Sequence, residues 1–232
     1  MNKKRTIVAA AVIALVLLVG GILAYFTDTD EKTNVFTIGN VHIQLNEASW
    51  TEITEDDGEG GTTGTGEYSL AAAQNITPNK VIPKAPKVKN IGNDETGNGN
   101  GNDAYVFLKV VIPNEAVTVG GAQSARAQDL FTPVFNDADG INPVWTEITS
   151  TMSPAPAAGT HIYVYGTGTA KTAMTRLTYN QETPQLFDSV RFADLDDPSE
   201  LSALTQRIVI TAYGIQADDV SETTAATIFA NF

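Results

Sequence analysis

Alternation of apolar and polar residues is most regular near the start of the chain, in residues 35–45. The apolar positions there are Val35, Phe36, Ile38, Val41, Ile43 and Leu45. The last three are separated by single polar residues, so they share one face of a β-strand. The pattern predicts an N-terminal strand segment with one face turned toward a core.

Two longer stretches are mostly apolar at consecutive positions rather than at alternate ones. They are residues 104–112 (AYVFLKVVI) and residues 207–215 (RIVITAYGI). A strand that is apolar on both faces is typical of the middle of a sheet that is covered on both sides. We therefore predict two central strands.

Shorter apolar runs bounded by Gly and Pro predict further strands at residues 87–91, 144–149, 161–166 and 174–179. Helix-forming residues predict short helices at 124–131 and 198–205. The stretches 54–66 and 92–103 are rich in Gly, Asn and acidic residues, and predict surface loops. Many short strands with few helices indicate an all-β protein, a jelly-roll-like β-sandwich forming a single domain over residues 46–232.

The first residues have the pattern of an export signal. A basic cluster comes first: Lys3, Lys4 and Arg5. An apolar run at 7–26 follows, and it predicts a signal peptide at residues 1–24 that is cleaved between Ala24 and Tyr25. The run is also long enough to be retained as a membrane anchor, which is the alternative. Either way the body of the chain is exported, so we expect a secreted or cell-surface protein whose only membrane contact is an uncleaved signal.

Composition narrows the classes of function. The chain carries 14 basic and 27 acidic residues, a net charge of −13, and the basic signal makes the remainder more acidic still. Such a charge argues against nucleic-acid binding, because phosphate repels it. The chain has no cysteine, which excludes disulfides and thiol proteases and is compatible with a Gram-positive surface.

Candidate catalytic residues are few. The chain has two histidines, His42 and His161, and no HExxH motif that would place a zinc pair on a helix. A catalytic zinc held by both histidines and a carboxylate is one interpretation. The other is that each is a partly buried strand residue. No GxSxG elbow, P-loop or dinucleotide fingerprint is present in the sequence, so we assign no catalytic residue and expect no cofactor.

Acidic clusters raise the question of calcium. Residues 135–140 (FNDADG) resemble part of a calcium loop but lack acidic residues at its first and last ligand positions, so they are not an EF-hand. A second acidic cluster is Asp194, Asp196 and Asp197. It is a candidate for weak calcium binding, and the alternative is a solvated acidic turn.

The N-terminal strand segment suggests a mechanism of assembly. Cleavage before Tyr25 leaves a strand-competent segment tethered at one end only, and such a strand can complete the sheet of a neighbouring copy by edge addition. Repeated head to tail, that contact does not close and yields a filament. The alternative is that the segment is simply the first strand of its own sandwich.

Five stretches of sequence carry a family resemblance. They are the junction GGILAYFTDTDEKTNVFTIGNVHIQL (20–45), ITPNKVIPKAPKVKNIG (76–92), DAYVFLKVVIP (103–113), QLFDSVRF (185–192) and ITAYGIQAD (210–218). In this order the chain resembles the TasA/camelysin group of exported Gram-positive proteins, whose signals are cut by a SipW-type signal peptidase.

The resemblance implies a jelly-roll fold and a secreted subunit of biofilm matrix fibres that polymerises with copies of itself. It also implies that residues 25–45 act as the donor strand. Camelysin-like members are described as casein-cleaving metallopeptidases, which leaves a secreted metallopeptidase as an alternative. A monomeric cell-surface adhesin is the third possibility. The loops at 54–66 and 93–102 depart from the family pattern.

Overall fold

The computed structural model describes residues 36–38, 41–47, 51–56, 62–73, 76–92, 101–197, 201, 206–218 and 220–232. All of them lie in one compact unit, Thr33–Phe232. Within these ranges, no helix has the length and apolar character needed to cross a membrane. The predicted signal, its cleavage site at Ala24 and Tyr25, and Val35 lie outside the described residues.

The described elements are mostly β-strands. Their bounds are β1 Phe36–Ile38, β2 His42–Glu47, β3 Thr51–Asp56, β4 Thr62–Ser69, β5 Val81–Pro83, β6 Pro86–Gly92, β7 Ala104–Val111, β8 Asn114–Val117, β9 Arg126–Asp129, β10 Phe131–Phe135, β11 Ala138–Asp139, β12 Trp145–Glu147, β13 Thr160–Tyr165, β14 Ser189–Phe192 and β15 Val209–Gln216. Helix α1 is Ala225–Phe229, and short 3-10 turns lie at Ala71–Ala73, Thr149–Thr151 and Lys171–Ala173.

The largest sheet has five strands in the order β1-β15-β7-β13-β12. β7 lies at its centre and pairs antiparallel with β15 and β13. Residues 104–108 of β7 are all buried, because apolar groups cover both faces of the sheet there. The prediction that residues 104–112 and 207–215 form interior strands is confirmed, since β7 and β15 each have a neighbour on both sides. The structure adds that the two strands pair with each other.

One face of this sheet packs against a second layer. That layer consists of the four-stranded sheet β11-β10-β14-β5 and the two-stranded sheet β2-β6. Leu108 of β7, Phe192 of β14 and Val88 of β6 belong to the same buried apolar cluster. The opposite face is covered by α1, where Phe107 packs against Phe229 with ring centroids 5.5 Å apart. The all-β sandwich prediction is confirmed.

Several local predictions are wrong. Residues 54–66, predicted as a loop, contribute to the hairpin of β3 with β4. Residues 124–131, predicted as a helix, contain β9, which pairs with β8, because long-range pairing overrides a weak helix propensity. Residues 174–179, predicted as a strand, form only isolated bridges through Met174 and Leu177. The helix predicted at 198–205 lies almost wholly outside the described residues.

Candidate functional site

The N-terminal strand segment adds an outer strand to the five-stranded sheet. β1 pairs parallel with β15 in the register Phe36↔Tyr213, Thr37↔Gly214 and Ile38↔Ile215. It is three residues long and is the terminal strand in the sheet order. A short edge strand is held by main-chain hydrogen bonds on one side only, which makes it the easiest strand of a sheet to exchange.

The next strand continues the segment into the second layer. β2 pairs antiparallel with β6, from Ile43↔Asn90 to Glu47↔Pro86, with an irregularity between His42 and Ile43. We call residues 36–38 and 41–47 together the N-terminal arm. The arm contacts both layers of the sandwich, since β1 joins the sheet of β15 and β2 joins β6.

Apolar side chains anchor the arm. Val41 is 0% exposed, Ile43 is 1% exposed, and Leu45 packs half-buried against the same core cluster. The predicted common face of these three residues is therefore confirmed. Burying each of the two fully enclosed side chains stabilises the docked arm by roughly 1.5–3 kcal/mol.

A glycine in a central strand makes room for Ile43. A Cβ added at Gly214 of β15 would lie 3.0 Å from Cγ2 and 3.2 Å from Cδ1 of Ile43. Those separations are shorter than ordinary van der Waals contact, so Ile43 occupies the space that a side chain at position 214 would take. The backbone of Gly214 therefore forms the bottom of the Ile43 pocket. The pocket links the arm directly to β15.

The strand that receives β2 is fixed by a buried amide. Asn90 is 0% exposed, and its Nδ2 donates to the carbonyl oxygens of Asn102 and Leu177, each at 2.9 Å. Its Oδ1 accepts the N–H of Gly92 at 3.1 Å. These bonds hold β6 to the segments that follow it, so the ladder that receives the arm is rigidly placed.

A buried ion pair lies at the C-terminal end of the arm. Lys84 Nζ is 2.8 Å from Glu47 Oε2, with the two side chains 5% and 16% exposed. The other carboxylate oxygen of Glu47, Oε1, is buried without a hydrogen-bond partner. When one partner of such a buried ion pair is removed, the other charge stays buried without compensation, which is strongly destabilising.

His161 lies away from the arm, between two carboxylates. Its Nδ1 is 2.9 Å from Glu147 Oε1, and its Nε2 is 2.6 Å from Asp129 Oδ2. Asn114 Nδ2 donates to the other oxygen of Asp129 at 2.7 Å. The hydrogen bond to Glu147, together with that to Asp129, raises the pKa of His161, and the bond from His161 lowers the pKa of Glu147. The cluster ties β13 and β12 to the β8–β9 hairpin.

This cluster gives a pH-dependent stability. Because the folded-state pKa of His161 is raised above its ordinary value, its contribution is complete below pH about 6.5 and is lost as the pH rises through the folded pKa. We expect the free energy of unfolding to fall by about 1 kcal/mol between pH 6 and pH 9, since the pair is partly exposed. Urea unfolding at both pH values measures it. His161→Asn should flatten the dependence of the free energy of unfolding on pH. His42→Asn is the comparison, because it removes a histidine and leaves the contacts of His161 with Glu147 and Asp129 in place. If the free energy of unfolding of His161→Asn falls with pH as much as that of the wild type, His161 is not the source of the pH dependence.

The acidic cluster forms turn contacts. Both carboxylate oxygens of Asp196 accept the N–H of Gly121, at 2.9 and 3.1 Å, and the carbonyl of Asp194 accepts the N–H of Gly120. Asp197 is exposed. Among the described residues, no group of three or more histidine and carboxylate side chains is placed to hold a metal ion. Weak calcium binding by Asp194, Asp196 and Asp197 stays a prediction.

Sequence reasoning missed several residues of these sites. Gly214, Asn90 and Lys84 act on the arm but lie far from it in the sequence. The only available signal for Gly214 was a glycine inside a strongly apolar strand, which often marks the close approach of another chain segment.

A family model described as camelysin metallo-endopeptidase matches residues 1–119 of the 232. The match covers the N-terminal arm, β6 and the central strand β7. No curated protein and no solved structure matches the chain.

Proposed function

Because the chain belongs to the camelysin metallo-endopeptidase family, which includes the TasA-like proteins, we propose that it is a secreted structural subunit of extracellular matrix fibres. Each subunit donates its N-terminal strand segment, residues 25–45 as the sequence predicts them, to the sheet of the next copy. A SipW-type signal peptidase cleaves between Ala24 and Tyr25 and so frees that segment.

The observation that carries this proposal is the way the arm is held. β1 is a three-residue edge strand, while Val41 and Ile43 fill closed apolar positions. A segment bound by main-chain bonds at an edge and by alternate side chains in pockets has the features of strand addition. The same contacts serve equally well when the arm comes from a neighbouring copy, because the acceptor positions are unchanged.

Deletion of residues 25–40 from the secreted form tests the proposal. We expect filaments to disappear, because the deletion removes β1 and the chain leading into it. Negative-stain electron microscopy at matched protein concentration is the measurement, and N-terminal sequencing of the wild-type material establishes where the mature chain begins. The control is deletion of residues 58–60, which shortens the connection between the paired ends of β3 and β4 to two residues and leaves residues 25–47 in place. Filaments of unchanged abundance after removal of residues 25–40 would refute strand donation.

The family description also favours a second candidate, a secreted metallo-endopeptidase. A catalytic zinc takes histidine nitrogens that have a free lone pair. Both ring nitrogens of His161 face carboxylates, Nδ1 at 2.9 Å from Glu147 Oε1 and Nε2 at 2.6 Å from Asp129 Oδ2, so neither nitrogen is directed at an open ligand position. His42 lies on β2, in a different sheet. The described residues therefore do not fit a catalytic zinc.

Metal analysis and casein cleavage test this candidate. A peptidase would carry stoichiometric zinc after purification and would lose cleavage in His42→Ala or His161→Ala. Purified secreted protein without bound zinc and without casein cleavage would remove the candidate. A monomeric surface adhesin, the third alternative, would remain a single particle at high concentration.

A further inference from the structure

We propose that Glu47 of one copy and Lys84 of the next form a recognition pair that fixes where the donated arm ends. This inference rests on the proposed fibre function and adds a boundary to it. The donated segment extends past Leu45, to the end of β2 at Glu47. A second copy of this chain is the partner, and its buried lysine selects an arm with an acid at position 47.

The continuity of the β2–β6 ladder sets this boundary. A donated strand replaces the resident strand at the same positions of the acceptor. The pairing runs without interruption over residues 43–47 of β2. If the donated segment ended at Leu45, the chain following it would meet the acceptor's own Asn46 and Glu47 at the next two ladder positions. One ladder cannot hold both, so the strand is exchanged as a unit that includes Glu47.

The burial of Lys84 gives the pair its selectivity. Its side chain is 5% exposed, and its Nζ is 2.8 Å from Glu47 Oε2. An arm without an acid at this position would leave the ammonium group buried without the carboxylate. An arm with a base there would place two like charges together out of water. Both cases disfavour docking, which is how a buried charge specifies register and partner.

Neighbouring contacts at this end of the ladder are more exposed. Asn46 Nδ2 donates to Glu182 Oε1 at 2.8 Å, and Lys87 Nζ lies 3.7 Å from Glu182 Oε2, with the two charged side chains 37% and 38% exposed. Exposed pairs of this kind contribute little to stability. The Lys87–Glu182 pair therefore adds little to the selectivity that the buried pair gives this end of the ladder.

A charge exchange tests whether the pair joins two copies. In Glu47→Lys, the arm carries a lysine at position 47 and the acceptor keeps Lys84, so both are basic. In Lys84→Glu, the arm keeps Glu47 and the acceptor carries a glutamate at position 84, so both are acidic. Neither should polymerise alone, and we expect the critical concentration for filaments to rise at least about tenfold in each. An equal mixture should form filaments again, because each variant's arm complements the other's acceptor. The double variant should also polymerise. Arg126→Glu, a charge reversal at an exposed residue of β9 outside the β2–β6 ladder, should behave like the wild type.

The outcomes separate the two proposals. If the double variant polymerises while the mixture does not, the pair forms within one chain, and the inference is overturned although the fibre function stands. Single variants that polymerise as readily as the wild type overturn it too. If the wild type forms no filaments, or forms them without residues 25–40, the fibre function itself fails.

A cysteine trap covers the case in which the charge variants do not fold. Asn46 and Lys87 are register partners one position from Glu47, and the chain has no cysteine of its own. Oxidised filaments of N46C/K87C should run as a ladder of covalent multimers on a non-reducing gel, because paired strand positions are close enough for a disulfide. A gel that shows internally cross-linked monomers and no multimers would mean that residue 46 stays in its own subunit, and it would overturn the inference.

Discussion

Replacing Ile43 with alanine lowers the free energy of unfolding of the monomer by about 3 kcal/mol, because the pocket that it fills has no other occupant. Ile43 is 1% exposed and lies against the position where Gly214 lacks a side chain. Gly214→Val should cost about 2–3 kcal/mol by overfilling the same pocket. Urea unfolding followed by tryptophan fluorescence measures both changes. In filaments, either variant should raise the critical concentration, since the pocket also receives the donated arm.

A double-mutant cycle on Ile43 and Gly214 provides the control for these two substitutions. In Ile43→Ala combined with Gly214→Val, the new valine occupies part of the space that Ile43 leaves. The double variant should therefore lose about 1–2 kcal/mol less free energy of unfolding than the two single variants lose together. Leu45→Ala, on the same face of the arm but half-buried, should cost less than Ile43→Ala. Strict additivity of the two substitutions would show that the pocket is not shared between them.

The second large effect comes from Asn90. Asn90→Leu should lower the free energy of unfolding by about 3 kcal/mol, because the carbonyl of Asn102 and the N–H of Gly92 lose the bond to Asn90. The carbonyl of Leu177 loses one of its two donors and keeps the N–H of Ala104. Asn231→Ala, which removes a single exposed bond to Glu222, is the matched control and should change stability by less than about 0.5 kcal/mol. Chemical unfolding of the purified monomers compares the two.

The same substitution tests the acceptor. Ile43 of the arm pairs with Asn90 of β6, so loosening β6 weakens the position that receives a donated strand. We expect Asn90→Leu to polymerise poorly even at temperatures where its monomer is folded. Normal filaments together with a monomer destabilised by the expected amount would mean that the arm does not dock on β6 of the next copy.

The arm, the central strands and the fold class follow from the sequence because the underlying pattern is local. A two-residue period places Val41 and Ile43 on one side of a strand wherever that strand lies. An apolar run such as residues 104–108 favours burial on both faces, and all five of these residues are buried. Where local signals were weak, tertiary pairing decided, as for residues 124–131, which form β9 in a hairpin rather than a helix.

The partners of the arm depend on register between distant segments, which a single sequence does not display. Glu47 and Lys84 are 37 positions apart, and His161 is 32 positions from Asp129. Composition and spacing therefore determined an acidic all-β chain with a strand-forming N-terminus, and they predict that it is exported. Only the packed sheets decided that Gly214 accommodates Ile43, that Lys84 lies against Glu47, and that both nitrogens of His161 face carboxylates, because these contacts arise from the alignment of strands that are not neighbours in the chain.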